Sequence, residues 1–398
     1  MSDFQKVTDM LDEYVNSGRI PGYSVVIADV RERRLQRQFG LMDIERKKPV
    51  TPDTLFRIYS MTKPITSVAL MQLWQQSAFD LSDPVSDYLP GWESFSVFNG
   101  GTVDDYAVTS ANATVKIVDL LRHTAGLTYG FEPENVVDQL YHRAGLTIER
   151  RNMNLAEGAR LLASLPLRFE PGTRWHYSFA TDVVGHLVEV ISGTTLDQYL
   201  RANVFEPLGM RDTGFYVSDS ELERFAACYC PHPEKVALVL QDDPATSSFR
   251  KMPNMLSGGG GLVSTVDDYL RFCRAMLSGG HLEGYKLLEA ETVELMISNH
   301  LPGNEDLSVV GESLFTETTY SGIGFGLGYA VVLDPAVTES PTNQGEYSWG
   351  GMASTYHWID PVEQIIVVFM TQLIPSSTYP LRAELKQVVH DCLTNAKN

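Results

Sequence analysis

Cysteine is scarce in this chain. Four residues in 398, Cys228, Cys230, Cys273 and Cys392, are too few for a disulfide scaffold. Cys228-Tyr229-Cys230 is also too tightly spaced for a redox or zinc pair, so reduced thiols without a site role are expected, and no metal centre. Long apolar runs are missing as well. One of the longest, residues 365–370, falls far short of the roughly 20 residues that a membrane-spanning helix needs. Basic residues are outnumbered, 31 Lys and Arg against 50 Asp and Glu, for a net charge of −19. A nucleic-acid face needs the opposite balance. Neither nucleic acid nor membrane is therefore expected as a partner. Met1-Ser2-Asp3-Phe4 has neither the basic nor the apolar stretch of a secretory signal, which points to a cytoplasmic location. The glycine run at 258–261 lacks the Lys-Ser/Thr that completes a phosphate-binding loop, and no cofactor is expected.

What is present is ample core material. Hydrophobic residues make up 43% of the chain, and the length allows two to three domains at about 150 residues each. Residues 4–15 carry helical spacing, and 23–30 and 35–41 read as a strand pair around the charged turn 31–34. Near the other end, 326–333, 354–359 and 364–370 read as strands, and 381–393 as a closing amphipathic helix. The middle is mainly helical, at 65–74, 115–123, 155–165, 183–192 and 196–204. Residues 96–114, 231–254 and 301–323 read as long irregular loops, a common source of pocket walls. This distribution predicts an α+β chain: one discontinuous domain, 1–58 with 255–398, and a mainly helical domain, 59–254, with a site at their interface.

A candidate nucleophile stands out. Ser60-Met61-Thr62-Lys63 places a hydroxyl and an amine three residues apart, on one face of a helix. A serine needs a neighbour to take its proton before it attacks, and a lysine is able to do so. On pattern alone Ser60 is either that nucleophile or an ordinary N-cap serine. A second match, Ser248-Phe249-Arg250-Lys251, precedes Met252-Pro253-Asn254 and reads as loop. Pro64 lacks a backbone donor and crowds the Ser60 carbonyl, so a distorted first turn is expected. No Gly-x-Ser-x-Gly elbow accompanies the histidines His123 and His176.

The surroundings of Ser60 resemble the β-lactamase-related serine hydrolases, and the resemblance runs through nearly the whole chain. It is carried by Ser60-Met61-Thr62-Lys63-Pro64-Ile65, by Leu81-Ser82-Asp83-Pro84, and by Leu120-Leu121-Arg122-His123-Thr124-Ala125-Gly126-Leu127. Phe205-Glu206-Pro207-Leu208-Gly209-Met210, Gly258-Gly259-Gly260-Gly261 and Gly324-Phe325-Gly326-Leu327-Gly328-Tyr329 continue it in order. Within that superfamily the chain is most similar to the family VIII carboxylesterases. The implied fold is the β-lactamase/transpeptidase-like α+β fold. It has an antiparallel sheet flanked by helices from both chain ends and an inserted, mainly helical domain.

The resemblance implies three site elements: Ser60 with Lys63, Tyr177 within Trp175-His176-Tyr177-Ser178-Phe179, and the strand Trp349-Gly350-Gly351. Class C β-lactamases carry Tyr-x-Asn and Lys-Thr-Gly at the second and third. Here Phe179 and Trp349 replace the Asn and the Lys that bind a β-lactam. The implied substrate is therefore a small carboxylic ester. Ser60 would form an acyl-enzyme, with either Lys63 or Tyr177 as the base. The oxyanion hole would be the N–H groups of Ser60 and Met352. Tyr59, Phe179, Trp349, Gly350 and Gly351 would line the substrate. An acyltransferase of the same fold is the alternative, followed by a weak β-lactamase or D-amino-acid peptidase. His123 and the glycine turn at 258–261 are expected to be structural, and Asp182 to support a helix start.

Overall fold

A computed structural model of the chain describes residues 4–147, 153–312 and 320–397. Its centre is an eight-stranded antiparallel sheet built from both ends of the chain. In spatial order the strands are Ile323–Phe325, Ala330–Val332, Tyr347–Gly350, Tyr356–Asp360, Ile365–Met370, Gly22–Ala28, Arg33–Asp43 and Lys48–Pro49. The continuous apolar runs at Gly22–Ala28 and Ile365–Met370 have a simple cause. Both strands lie mid-sheet and every residue in them is buried. Alternation then divides their side chains between two cores. Val25, Ile27, Val367 and Phe369 pack with Val7, Leu11, Leu385 and Val389 of the terminal helices Gln5–Asn16 and Leu381–Lys397. Val26, Ala28, Ile366 and Val368 face the larger core, which runs on into the helical layer.

That layer surrounds the helix Thr62–Gln75, whose residues Thr62 to Leu73 are all buried. A helix that is apolar on all sides belongs inside a protein, and several of its polar groups find partners there. Thr66 Oγ1 donates to the Gly258 carbonyl at 2.9 Å, and Gln72 Nε2 donates to the carbonyls of Asn203 and Leu287 at 3.1 Å each. The helix Ala180–Ser192 packs beside it.

Several sequence expectations change in detail. Residues 326–333 do not form one strand. Ile323–Phe325 and Ala330–Val332 make a hairpin, because Gly328 turns the chain at φ +101°. Residues 96–114 and 231–254 are not irregular throughout. Ser96–Gly101 pairs with Tyr106–Ser110, and Cys228–Pro231 with Leu238–Asp242. Residues 301–323 contain the short helix Leu307–Val310, and 313–319 of that span lie outside the described residues. No helix among the described residues is long and apolar enough to cross a membrane.

Candidate active site

The segment that carries Ser60 is held from behind. Phe56–Arg57 pairs with Val263–Ser264. The fully buried Arg57 guanidinium binds Asp242 at 2.9 Å and the Ala226 carbonyl at 2.6 Å. Tyr59 then adopts φ 42°, a left-handed conformation that costs energy in a residue with a side chain. Tyr59–Met61 is a tight 3₁₀ turn, and the α-helix begins only at Thr62. Ser60 thus sits one turn ahead of the helix, in line with the distortion expected from Pro64.

Lys63 reaches back from the first turn of that helix. Its Nζ donates to Ser60 Oγ at 3.2 Å and to the Gly259 carbonyl at 2.6 Å. It lies 4.4 Å from the Tyr177 ring centre and 5.1 Å from that of Tyr129. Burial strips the ammonium of water and lowers the Lys63 pKa to about 7, against the opposing pull of the Asp182 carboxylate.

Tyr177 stands on an extended stretch pinned by two backbone bonds, Trp175 N–H to the Val310 carbonyl at 2.9 Å and His176 N–H to the His123 carbonyl at 3.0 Å. Its hydroxyl accepts a hydrogen bond from Trp349 Nε1 at 3.3 Å. Burial drives the Tyr177 pKa up, while hydrogen bonds with Ser60 and Trp349 pull the other way. Trp349 projects from the strand Tyr347–Gly350 and meets Phe325 edge-on at 5.3 Å.

The strand carrying Trp349 closes on the Ser60 turn at Gly351. A Cβ there would lie 2.4 Å from the Ile58 carbonyl oxygen and 2.3 Å from Thr355 Oγ1, so only glycine fits. This approach brings Gly350, Gly351 and Met352 to the wall of a cavity of about 660 Å³ that also contains Ser60. Tyr59, Tyr177, Phe179 and Trp349 line the same space. Phe179 is 4% exposed, and its ring centre lies 4.5 Å from that of Tyr129. Every residue proposed for the site from sequence lies in or beside this cavity.

Two neighbours were read incompletely from the sequence. Tyr129 was not singled out, although it lines the cavity and faces Lys63. Asp182 does more than mark a helix start. It accepts from Ser257 Oγ at 2.5 Å and from the Gly259 N–H at 3.2 Å, beneath Lys63. These two contacts join segments 75 and 77 residues apart, which local spacing does not reveal. His123 is buried, with Nδ1 3.1 Å from Ser178 Oγ, and burial keeps it neutral. The glycine turn is a close approach, where a Cβ on Gly258 would lie 2.7 Å from the Thr181 carbonyl. Ser248 and Lys251 are both exposed, and Ser248 lies on the wall of the same cavity. Among the described residues, no cluster of His, Cys, Asp or Glu could hold a metal ion.

The antiparallel sheet, with terminal helices on one face and a helical layer on the other, defines the β-lactamase/transpeptidase-like fold. The chain belongs to the Beta-lactamase family, whose model matches residues 7–389. It is 34% identical over 374 residues to Protein Rv1367c of Mycobacterium tuberculosis, covering 91% of this chain and 88% of that protein. It is 32% identical over 395 residues to Esterase EstB of Burkholderia gladioli, covering 96% and 93%. Among solved structures it superposes on EstCE1, described as a hydrolase with promiscuous acyltransferase activity, with a TM-score of 0.81. That match has 29% identity and covers 97% of this chain and 98% of the other.

Proposed function

We propose that this protein is a serine carboxylesterase that hydrolyses small carboxylic esters through an acyl-enzyme on Ser60. One observation carries the reading: Ser60 Oγ lies 3.2 Å from a buried Lys63 amine, on the wall of an aromatic cavity. The similarity to Esterase EstB supports it.

Lys63, with its pKa brought to about 7, is the acylation base. Its neutral amine takes the Ser60 proton as Oγ bonds to the ester carbonyl carbon. The N–H groups of Ser60 and Met352 stabilise the oxyanion, at about 3 kcal/mol for each donor. The neutral Tyr177 hydroxyl protonates the leaving alcohol as the C–O bond breaks, and Lys63 returns a proton to Tyr177. Water then enters and the same groups run in reverse, releasing the acid and restoring Ser60. Tyr59, Phe179, Trp349, Gly350 and Gly351 shape the substrate surface. Phe179 and Trp349 supply apolar contact where a β-lactamase would bind polar groups, which disfavours β-lactams and D-amino-acid peptides.

The test is turnover of p-nitrophenyl acetate and butyrate beside nitrocefin. The reading expects ester hydrolysis that is lost in Ser60→Ala and little nitrocefin turnover. Undiminished ester hydrolysis in Ser60→Ala rejects it. The likeness to EstCE1 favours a second reading, in which the acyl group passes to an alcohol. Absence of transester product at high alcohol concentration rejects that alternative.

A further inference from the structure

We propose that Asp182 is a positioning residue for Lys63: its carboxylate anchors the glycine turn whose carbonyl holds the Lys63 amine against Ser60, and presents a negative charge to that amine. The inference rests on the esterase reading above. The geometry forms one chain of contacts. Asp182 Oδ1 accepts from Ser257 Oγ at 2.5 Å and from the Gly259 N–H at 3.2 Å. The carbonyl of the same Gly259 accepts from Lys63 Nζ at 2.6 Å, and that amine reaches Ser60 Oγ at 3.2 Å. A single residue, Gly259, is therefore bound by Asp182 through its N–H and by Lys63 through its C=O.

Space around the turn is as restricted as its bonding. A Cβ on Gly259 would lie 2.7 Å from Asp182 Oδ2 and 2.7 Å from the Tyr129 hydroxyl oxygen. The carboxylate and the phenol thus meet over a bare glycine, and neither leaves room for a side chain. Asp182 is 4% exposed and Lys63 1%. A buried carboxylate without bonds is expensive, and this one sits where its bonds fix the position of the amine.

The charges that face Lys63 are few. Tyr129 and Tyr177 present their rings, His123 is neutral, and among the described residues Asp182 supplies the negative charge that acts on the amine. Asp182 favours the protonated form of both Lys63 and Tyr177. Removing its charge therefore makes either group lose its proton at lower pH. The direction holds whichever of the two receives the Ser60 proton.

The experiment measures the pH profile of kcat/KM for p-nitrophenyl butyrate with wild type, Asp182→Asn and Asp182→Ala. Asn keeps an oxygen that accepts from Ser257 and Gly259 but carries no charge. The acid limb is expected to move down by about one pH unit in Asp182→Asn. A further fall in kcat of about 100-fold is expected in Asp182→Ala, which also loses the anchor. Ser257→Ala removes a donor that holds the Asp182 carboxyl in its charged form, so its limb is expected to move the same way by less. It carries the test if Asp182→Asn does not fold. A merely structural role would lower the amount of active enzyme without moving the limb. An unmoved limb in Asp182→Asn, or in Ser257→Ala where that variant stands in, overturns the inference. Wild-type enzyme with no ester turnover rejects the esterase reading instead.

Discussion

The Trp349 indole N–H donates to the Tyr177 hydroxyl oxygen at 3.3 Å, across 172 residues of chain. The tryptophan is thus both a wall of the cavity and a hydrogen-bond donor to a proposed catalytic group. Trp349→Phe keeps an aromatic surface and removes the donor. A single hydrogen bond is worth about 1 kcal/mol net. We expect kcat to fall roughly 5-fold with KM little changed, as steady-state kinetics will measure. A rise in KM with kcat intact would assign Trp349 to substrate contact alone.

Lys63 links activity to pH and to stability. Its folded pKa of about 7 lies below the ordinary value of 10.5 because of burial. Between those values the unfolded chain holds a proton on this amine that the folded chain does not, so stability rises with pH across that window. The cost of charging the buried amine is largest below pH 7. At about 1.4 kcal/mol per pK unit, it amounts to a few kcal/mol. Lys63→Met should therefore abolish ester turnover, raise the melting temperature most below pH 7, and flatten the rise between pH 7 and 10. Melting curves of both proteins from pH 6 to 10 check this. Parallel curves would contradict it.

The proposed site residues and the two-faced sheet were legible in the sequence for different reasons. Ser60 with Lys63, Tyr177 and the Trp349 strand are short local patterns, so spacing and resemblance reach them. The buried strands at Gly22–Ala28 and Ile365–Met370 are unbroken apolar runs. The hairpin Ser96–Gly101 with Tyr106–Ser110 was missed because Tyr106–Ser110 is exposed throughout and carries no hydrophobic alternation. The hairpin around Gly328 was read as one strand because its turn residues, Leu327 and Tyr329, are themselves buried and apolar in character. The contacts of Asp182 and Tyr129 with the glycine turn escaped because they form only when that turn folds back over Lys63.

Gly351 tests how closely the strand must approach the nucleophile. A methyl at this position would meet the Ile58 carbonyl oxygen at 2.4 Å, and that backbone precedes Ser60 by two residues. Gly351→Ala should push Met352 away from the Ser60 turn. We expect kcat/KM to fall by at least about 100-fold, the scale of losing one oxyanion donor. Kinetics on the folded variant measure this. Activity within a factor of two of wild type would remove Met352 from the oxyanion hole.

Phe179 both lines the cavity and packs on Tyr129. Phe179→Ala should cost about 3 kcal/mol of stability, as truncating a buried aromatic does. The enlarged cavity should raise kcat/KM for octanoate relative to butyrate esters. A chain-length panel will read this ratio, and an unchanged ratio would place Phe179 outside the acyl pocket.

The most direct test of the account is the identity of the acylated residue. Brief reaction with p-nitrophenyl acetate, an acid quench and peptide mass spectrometry should find one acetyl group on Ser60. In Ser60→Ala both that adduct and ester turnover should disappear. Acylation at another residue, or full turnover in Ser60→Ala, would contradict the account.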